Sequence, residues 1–502
     1  MWFTLQLETL LGTLMVLGIW FWKQPPQDSK FTRFGKIFLV AHALLALGFY
    51  FQSGNSENDA FNDTLNEWEF FHYYLGSKYA PELGYYGLYE AALLADQETW
   101  QGYKSSFIRE LKTGKIVPIT PDILSRAQNY KSRFAPEQWD AFVSDVLYFK
   151  TSLFFSGKWD RILQDKGYNA TPPWSLVVGL LSQQISISHL NSLQILASLD
   201  LILLTFAFLA IFRVFGRVPV CLLLIFLGTH PAMNHSHMKW AYLRMDWLVC
   251  LLFSVCALKK RYYGLAGFLT AYAAMTRIFP VVFSFGIAGL WLKYWVQQRK
   301  FHPEYSRYLL SFFLTLICLG SLTLFVLGAD YCLEFLEKIQ IHDQQLSLYR
   351  VGFKMVFLGT YQKVEQGNSN YIEKFERSQW LWWGLQIGIL VSFFLAIKRF
   401  EPEAVQAMGF VPCYFLFAPT FYYAVVLLIP LLFFGIQSST RSGLFGLILL
   451  FFSSLITFLM HDAWGFSCSA QTWYSLSLGS FFVAVWMLPI VWTLIYLIKR
   501  FT

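Results

Sequence analysis

Two carboxylates, Glu67 and Glu69, open the run NEWEFFHYYLGSKYAPELGYYGLYEAALLAD, Asn66 to Asp96, a few residues beyond an early apolar stretch. A carboxylate held at hydrogen-bond distance removes a proton from an acceptor hydroxyl as a leaving group departs. Glu69 is the first choice for such a general base and Glu67 the second, with Glu90 and Asp96 after them. Asp59 and Asp63 lie close by, and a solvated loop acid is the competing reading for each of these groups. His72 adds a hydrogen-bonding ring for a substrate, while Trp68, Tyr73 and Tyr74 offer aromatic faces for stacking or for interfacial anchoring. An apolar span needs no such segment to stay in a bilayer.

Charges placed in or beside apolar runs form the next group. Arg244 and Asp246 sit in AYLRMDWLVCLLF, Arg277 in AAMTRIFPVVF and Asp200 in LASLDLILLTF. An ionised side chain at bilayer depth costs about 2.5–3.5 kcal/mol on insertion scales, so it persists when paired or facing a polar cavity. A guanidinium forks onto two phosphate oxygens, which makes Arg244 and Arg277 candidate phosphate ligands. Internal ion pairing of Asp246 or Asp200 with an arginine is the structural alternative. Farther on, EFLEKIQIHDQQLSLYRVGFKMVF concentrates His342, Asp343, Arg350 and Lys354, suited to a pyrophosphate or a polar acceptor unless they are simply solvated. His230, His235 and His237 in GTHPAMNHSHMKW lack the fixed carboxylate or cysteine of a strong metal set. Histidines that hydrogen-bond a sugar are the simpler reading; no metal ligand is assigned, and a divalent metal is left open as a cofactor. Glycine-rich phosphate loops, nucleophile elbows, CxxC pairs and HExxH are absent, which argues against nucleotide-driven chemistry.

The elements that must position these groups are membrane helices. The 502 residues are 56% hydrophobic and 14% charged, whereas a soluble chain is about a quarter charged. Apolar runs bounded by Lys and Arg predict an all-α polytopic membrane protein. Two N-terminal spans (1–52) are predicted, the first retained rather than cleaved because it has no basic n-region. Residues 53–173 then form a large outer loop with amphipathic helices on the membrane surface, PDILSRAQNYKSRFAPEQWDAFVSDVLYF among them. A central bundle (174–328), a second outer loop (329–379) and a C-terminal bundle (380–502) follow. Spans are expected near 191–212, 218–230, 244–258, 262–275, 279–295, 307–328, 380–397, 404–418, 421–436, 442–460 and 473–497. Threading them in alternation puts Arg213, Arg217, Lys259, Lys260, Arg261, Lys398, Arg399 and Arg441 inside, giving about 13 segments with the C-terminus inside. The net charge of +8 is then a topological signal and implies no nucleic-acid partner. Of the seven cysteines, Cys332 and Cys468 alone fall in outer loops; two small apolar residues are a simpler reading there than a bridge.

Three features together resemble the GT-C superfamily of integral-membrane glycosyltransferases, in particular its polyprenyl-phosphate-sugar-dependent, mannosyltransferase-like branch. They are the acid-aromatic segment NEWEFFHYYLGSKYAPELGYYGLYEA, the span–turn–helix DWLVCLLFSVCALKKRYYGLAGFLTAYAAMTRIFP, and the late helix APTFYYAVVLLIPLLFF. The resemblance implies a GT-C-like bundle in which a first-loop carboxylate, here Glu69, is the base and Arg277 lies near the donor phosphate. It implies transfer of a sugar from a polyprenyl-phosphate donor to a lipid or glycan acceptor on the extracytoplasmic face, among membrane lipids. Glu and Arg here stand where the family more often has Asp and Lys. A transporter or flippase of a lipid-linked saccharide is the rival expectation, yet the chain shows no duplicated halves with matching helix breaks. A non-catalytic scaffold would leave the buried arginines unexplained.

Overall fold

The computed structural model describes residues 2–26, 29–52, 65–187, 191–235, 237–344, 347, 349–359, 375–464 and 469–489. The expectations for Asp59, Asp63 and Cys468 fall outside them. The chain is an all-α, multi-pass membrane protein: seven of the described helices are long and apolar enough to cross a bilayer. The span Pro303–Ile341 shows why, for Leu310, Phe313, Leu314, Ile317 and Phe325 are all exposed along it. Such a surface is a liability in water and an ordinary contact with lipid tails.

Helix occupies most of the described part of each expected span, several of the pieces being short. Ser192–Phe215 stops at Gly216, whose φ of +86° reverses the chain, and Arg217–Thr229 then runs back. Asp246–Lys259 and Tyr263–Thr276 form the next antiparallel pair. Small residues let these helices approach: a Cβ on Gly228 would strike the Ala46 carbonyl oxygen, and one on Gly267 the Tyr308 carbonyl oxygen. The site-bearing segment, residues 230–235 and 237–245, is irregular yet largely buried, and it links Arg217–Thr229 to Asp246–Lys259.

Residues 65–187 build a separate cap over one end of the bundle. Its core gathers Phe71, Tyr89, Trp139, Phe142, Phe149, Trp159 and Trp174, and continues into Tyr242, Tyr331 and Phe335 of the bundle. One expectation needs correction here, and one element was not foreseen. The helices Pro121–Lys131 and Pro136–Phe155 turn Ile123, Ala127, Phe142 and Val146 into this protein core, while Tyr148, Phe154 and Phe155 of the second are exposed. A hairpin of β1 (Phe107–Glu110) and β2 (Lys115–Pro118) pairs antiparallel, Ile108 opposite Val117, about Gly114 at φ +71°. Residues 329–344, read as loop, continue the helix Pro303–Gln344 past a break at Gly328, and Glu334 there accepts from the Tyr85 amide at 3.2 Å. Cys332 is a half-buried free thiol.

Close helix approach makes an opposed pair of outcomes. Gly267→Ala should destabilise the protein by about 1–3 kcal/mol through the backbone clash. Gly264→Ala, with nothing within 4 Å of the added methyl, should stabilise it by up to about 1 kcal/mol of helix propensity. Thermal unfolding of the two variants in one detergent decides the sign of each.

Candidate functional site

Glu69 reaches its place through a short, well-anchored turn. Asn66 caps the helix Glu67–Phe70, its Oδ1 accepting from the Glu69 amide at 3.1 Å, while its own amide bonds to the Trp240 carbonyl at 2.9 Å. The next turn, Phe71–Leu75, widens into a π-helix, a form that recurs at functional sites because it re-aims side chains. Glu69 is 5% exposed and points at the bundle loop. Its Oε2 pairs with Arg244, and its Oε1 accepts from His237 Nδ1 at 2.7 Å. Burial pushes the Glu69 pKa up; Arg244, His237 and His72 outweigh it and hold the carboxyl at about 2.

Arg244 is positioned from beneath. The Asp200 carboxylate accepts from the backbone amides of Arg244 at 2.6 Å and Met245 at 3.0 Å, so Asp200 holds the loop and not the guanidinium. The guanidinium lies 4.0 Å from the centroid of the Tyr73 ring and 5.8 Å from that of Tyr422. Tyr73 packs on Trp174 at 5.5 Å, and Arg277 sits 5.5 Å from the same indole. A short aromatic seam therefore joins the two arginines. Arg277 follows the helix Tyr263–Thr276 and gives Nη1 to the Thr276 carbonyl at 2.7 Å, while Nε and Nη2 are buried with no partner among the described residues. Asp246 lies close enough for its charge to act on Arg277; Tyr272 donates to its Oδ2 at 3.2 Å and its Oδ1 has no partner.

The structure thus brings Glu69, Arg244, Asp246, Arg277 and Tyr73 together at one end of the bundle. It does not bring the others to the same use. Glu67 turns away to accept from Ser152 Oγ. The lower-ranked acids are structural: Glu90 is forked by Arg126, and Asp96 pairs with Lys150 at 3.0 Å and takes Trp159 Nε1 at 3.0 Å. His72 is buried, giving Nδ1 to the Trp68 carbonyl at 2.7 Å and taking the Tyr89 hydroxyl at Nε2, also 2.7 Å, so it braces the turn and offers nothing to a ligand. Tyr73 likewise has its ring against Arg244 and its hydroxyl on Asn169.

Arg350 lies at the margin. Its backbone bridges Thr420, two residues before Tyr422, and its charge acts on Lys166. Lys354 projects over Phe375, 5.1 Å from the ring, and belongs elsewhere. The His342 side chain is outside the described residues.

Sequence reasoning passed over three members. Tyr422 and Tyr423 were visible in the late aromatic helix, and Asp165 carried no signal at all; it accepts from Trp68 Nε1 at 3.3 Å and lies 3.8 Å from His72 Nε2. His237 was read as one of three loop histidines, whereas it touches Glu69 directly and has a side chain 39% exposed. Burial, with the charges of His237 and His461, lowers the His235 pKa to about 3. Among the described residues no group of three or more His, Cys, Asp and Glu converges as a metal site. No family model, no curated protein and no solved structure matches the chain.

The buried pair has a measurable consequence. Arg244→Met strands the Glu69 charge and should cost about 3–5 kcal/mol of stability. Adding Glu69→Gln in the same chain should recover part of that loss, which thermal unfolding of the two single variants and the double variant reads as a coupling energy.

Proposed function

We propose that this protein is a membrane glycosyltransferase of GT-C type, moving a sugar from a polyprenyl-phosphate donor to a lipid or glycan hydroxyl. The observation that carries the reading is the convergence of a fixed carboxylate, two arginines and an accessible imidazole in one cluster where the cap meets the bundle. A phosphate beside Arg277 would satisfy the Nε and Nη2 donors that no described residue engages, and burial makes such charge-assisted bonds strong. The lipid tail would lie among helices while the sugar reached the cap. Arg277 would neutralise the departing phosphate, and the Glu69-centred group would receive the proton of the acceptor hydroxyl.

Sidedness follows from the distribution of charge. Lys259 ends the helix that Asp246 begins, and Arg217 begins the helix that Thr229 ends, so basic residues gather at the bundle end opposite the site. The rule that cytoplasmic loops are rich in Lys and Arg supports an extracytoplasmic site, in keeping with the expectation of about 13 membrane segments and a cytoplasmic C-terminus.

Donor binding and transfer separate the roles. Arg277→Ala should weaken binding of a polyprenyl-phosphate-hexose by roughly tenfold or more, the worth of a charge-assisted bond; unchanged affinity removes Arg277 from the phosphate site. Glu69→Gln should lower transfer by on the order of 100-fold or more while donor affinity holds. Because Glu69 also neutralises Arg244, transfer is compared at a temperature where the variant's unfolding curve shows it folded.

A further inference from the structure

We infer that His237, not Glu69, is the group that takes the proton, and that Glu69 is its positioning residue. The inference rests on the transfer reading for its substrate and on geometry for its chemistry. A carboxylate with one oxygen on a guanidinium and the other on an imidazole, 7% exposed, presents no open face to an acceptor. His237 stands in front of it. The Glu69 carboxylate only accepts, so His237 Nδ1 carries the ring hydrogen and Nε2 carries the lone pair. Nε2 has no hydrogen-bond partner among the described residues, and the side chain is 39% exposed. This is the arrangement in which a buried carboxylate orients an imidazole and stabilises the imidazolium that forms.

The surroundings suit a base that charges and discharges. Burial pushes the His237 pKa down, and the Glu69 hydrogen bond and charge outweigh it, so the pKa lies above the ordinary value; Asp165 adds to the rise and Arg244 opposes it. The His235 ring stacks at 4.9 Å and stays neutral, while Tyr422 closes the other side at 5.8 Å. His461 pairs with Asp462 at 2.9 Å and acts on His235. Of the two stacked rings, His237 and not His235 faces the carboxylate that would hold an imidazolium.

In the step itself the acceptor oxygen bonds to the anomeric carbon as the bond from that carbon to the phosphate oxygen breaks. The electron pair leaves with the lipid phosphate, which Arg277 faces. The hydroxyl proton moves to Nε2 of His237, and the resulting imidazolium, held by Glu69, later returns it to water.

Two arms test this. The first needs no substrate: the rate at which diethyl pyrocarbonate modifies His237, followed by mass spectrometry across pH, gives its pKa in the full-length protein in nanodiscs. A value above 6.5 that falls by roughly 1 unit in Glu69→Gln is expected for loss of a paired charge. A wild-type value at or below 6.5 overturns the pairing, and that measurement stands even if Glu69→Gln does not fold. The second arm uses a polyprenyl-phosphate-hexose and an acceptor glycoside. His237→Gln should keep donor affinity, lose on the order of 100-fold or more in transfer, and lack the fall in rate at low pH that wild type shows. Transfer by His237→Gln within threefold of wild type, with that acid limb retained, returns the base to Glu69. A wild-type chain that neither binds nor uses the donor ends the transfer reading and with it the catalytic role of His237, while the first arm still decides the Glu69–His237 pairing.

Discussion

The ion pair between Glu69 and Arg244 is the constraint on which the arrangement depends. One partner belongs to the cap and the other to an irregular loop of the bundle, and both are almost wholly buried. Removing two charges from water costs several kcal/mol per ion, and only close geometry with further hydrogen bonds offsets it. Glu69 meets that condition: one oxygen takes Arg244, the other His237, and its amide is capped by Asn66. A displacement of the cap would separate these charges while leaving both in a low-dielectric place. The pair therefore fixes where the cap sits as well as what chemistry lies beneath it.

The loop that carries Arg244 shows how much structure is organised to keep that pair. Buried irregular backbone is tolerated where the surrounding protein satisfies its polar groups. Asn234 gives its amide nitrogen to the carbonyls of Leu227 and Gly228, Asp200 takes the amides of Arg244 and Met245, and Trp174 donates to the Leu243 carbonyl. Trp240 and Leu243 adopt φ of +53° and +46°, a left-handed conformation that costs a non-glycine residue about 1–2 kcal/mol. Bulky side chains hold such angles only where the surroundings over-determine them, and such positions cluster at working sites. The strain is what turns Arg244 out of the helical path and toward Glu69.

Much of this was legible in the sequence, for definable reasons. Hydropathy locates helices because lipid selects composition segment by segment. Charges in apolar runs flagged Arg244, Asp246, Arg277 and Asp200, since each must find a polar use. What the sequence hid were directions. Glu67 and Glu69 lie two residues apart on a helix, so they face opposite ways, and nothing in NEWEF says which face meets the bundle. The cap helices had suitable amphipathic spacing, but spacing alone does not say that part of the apolar face enters the Trp139–Phe149 core. In RELKTGKIVP a turn signal was present at Gly114 and went unread among helices. His237 was obscured by its neighbours, because an H-x-H pair suggests ligation before it suggests a carboxylate 168 residues earlier.

Asp200 and Arg277 make the sharpest comparison within the site. Both are buried charges in apolar sequence with comparable insertion costs. The fold surrounds Asp200 with backbone donors, two amides on its two oxygens, and so converts it into a brace. It treats Arg277 differently: one nitrogen reaches the adjacent carbonyl, and among the described residues the other two nitrogens find no acceptor, beside a carboxylate that also has an unpartnered oxygen. Each unmet buried donor costs about 1–3 kcal/mol, more for a charged group. A residue that served only to stabilise the bundle would be replaced by an apolar one at a net gain. Retaining a half-satisfied guanidinium is reasonable when its missing partner arrives from outside the chain, and an oxygen-rich anion is the partner whose geometry it fits.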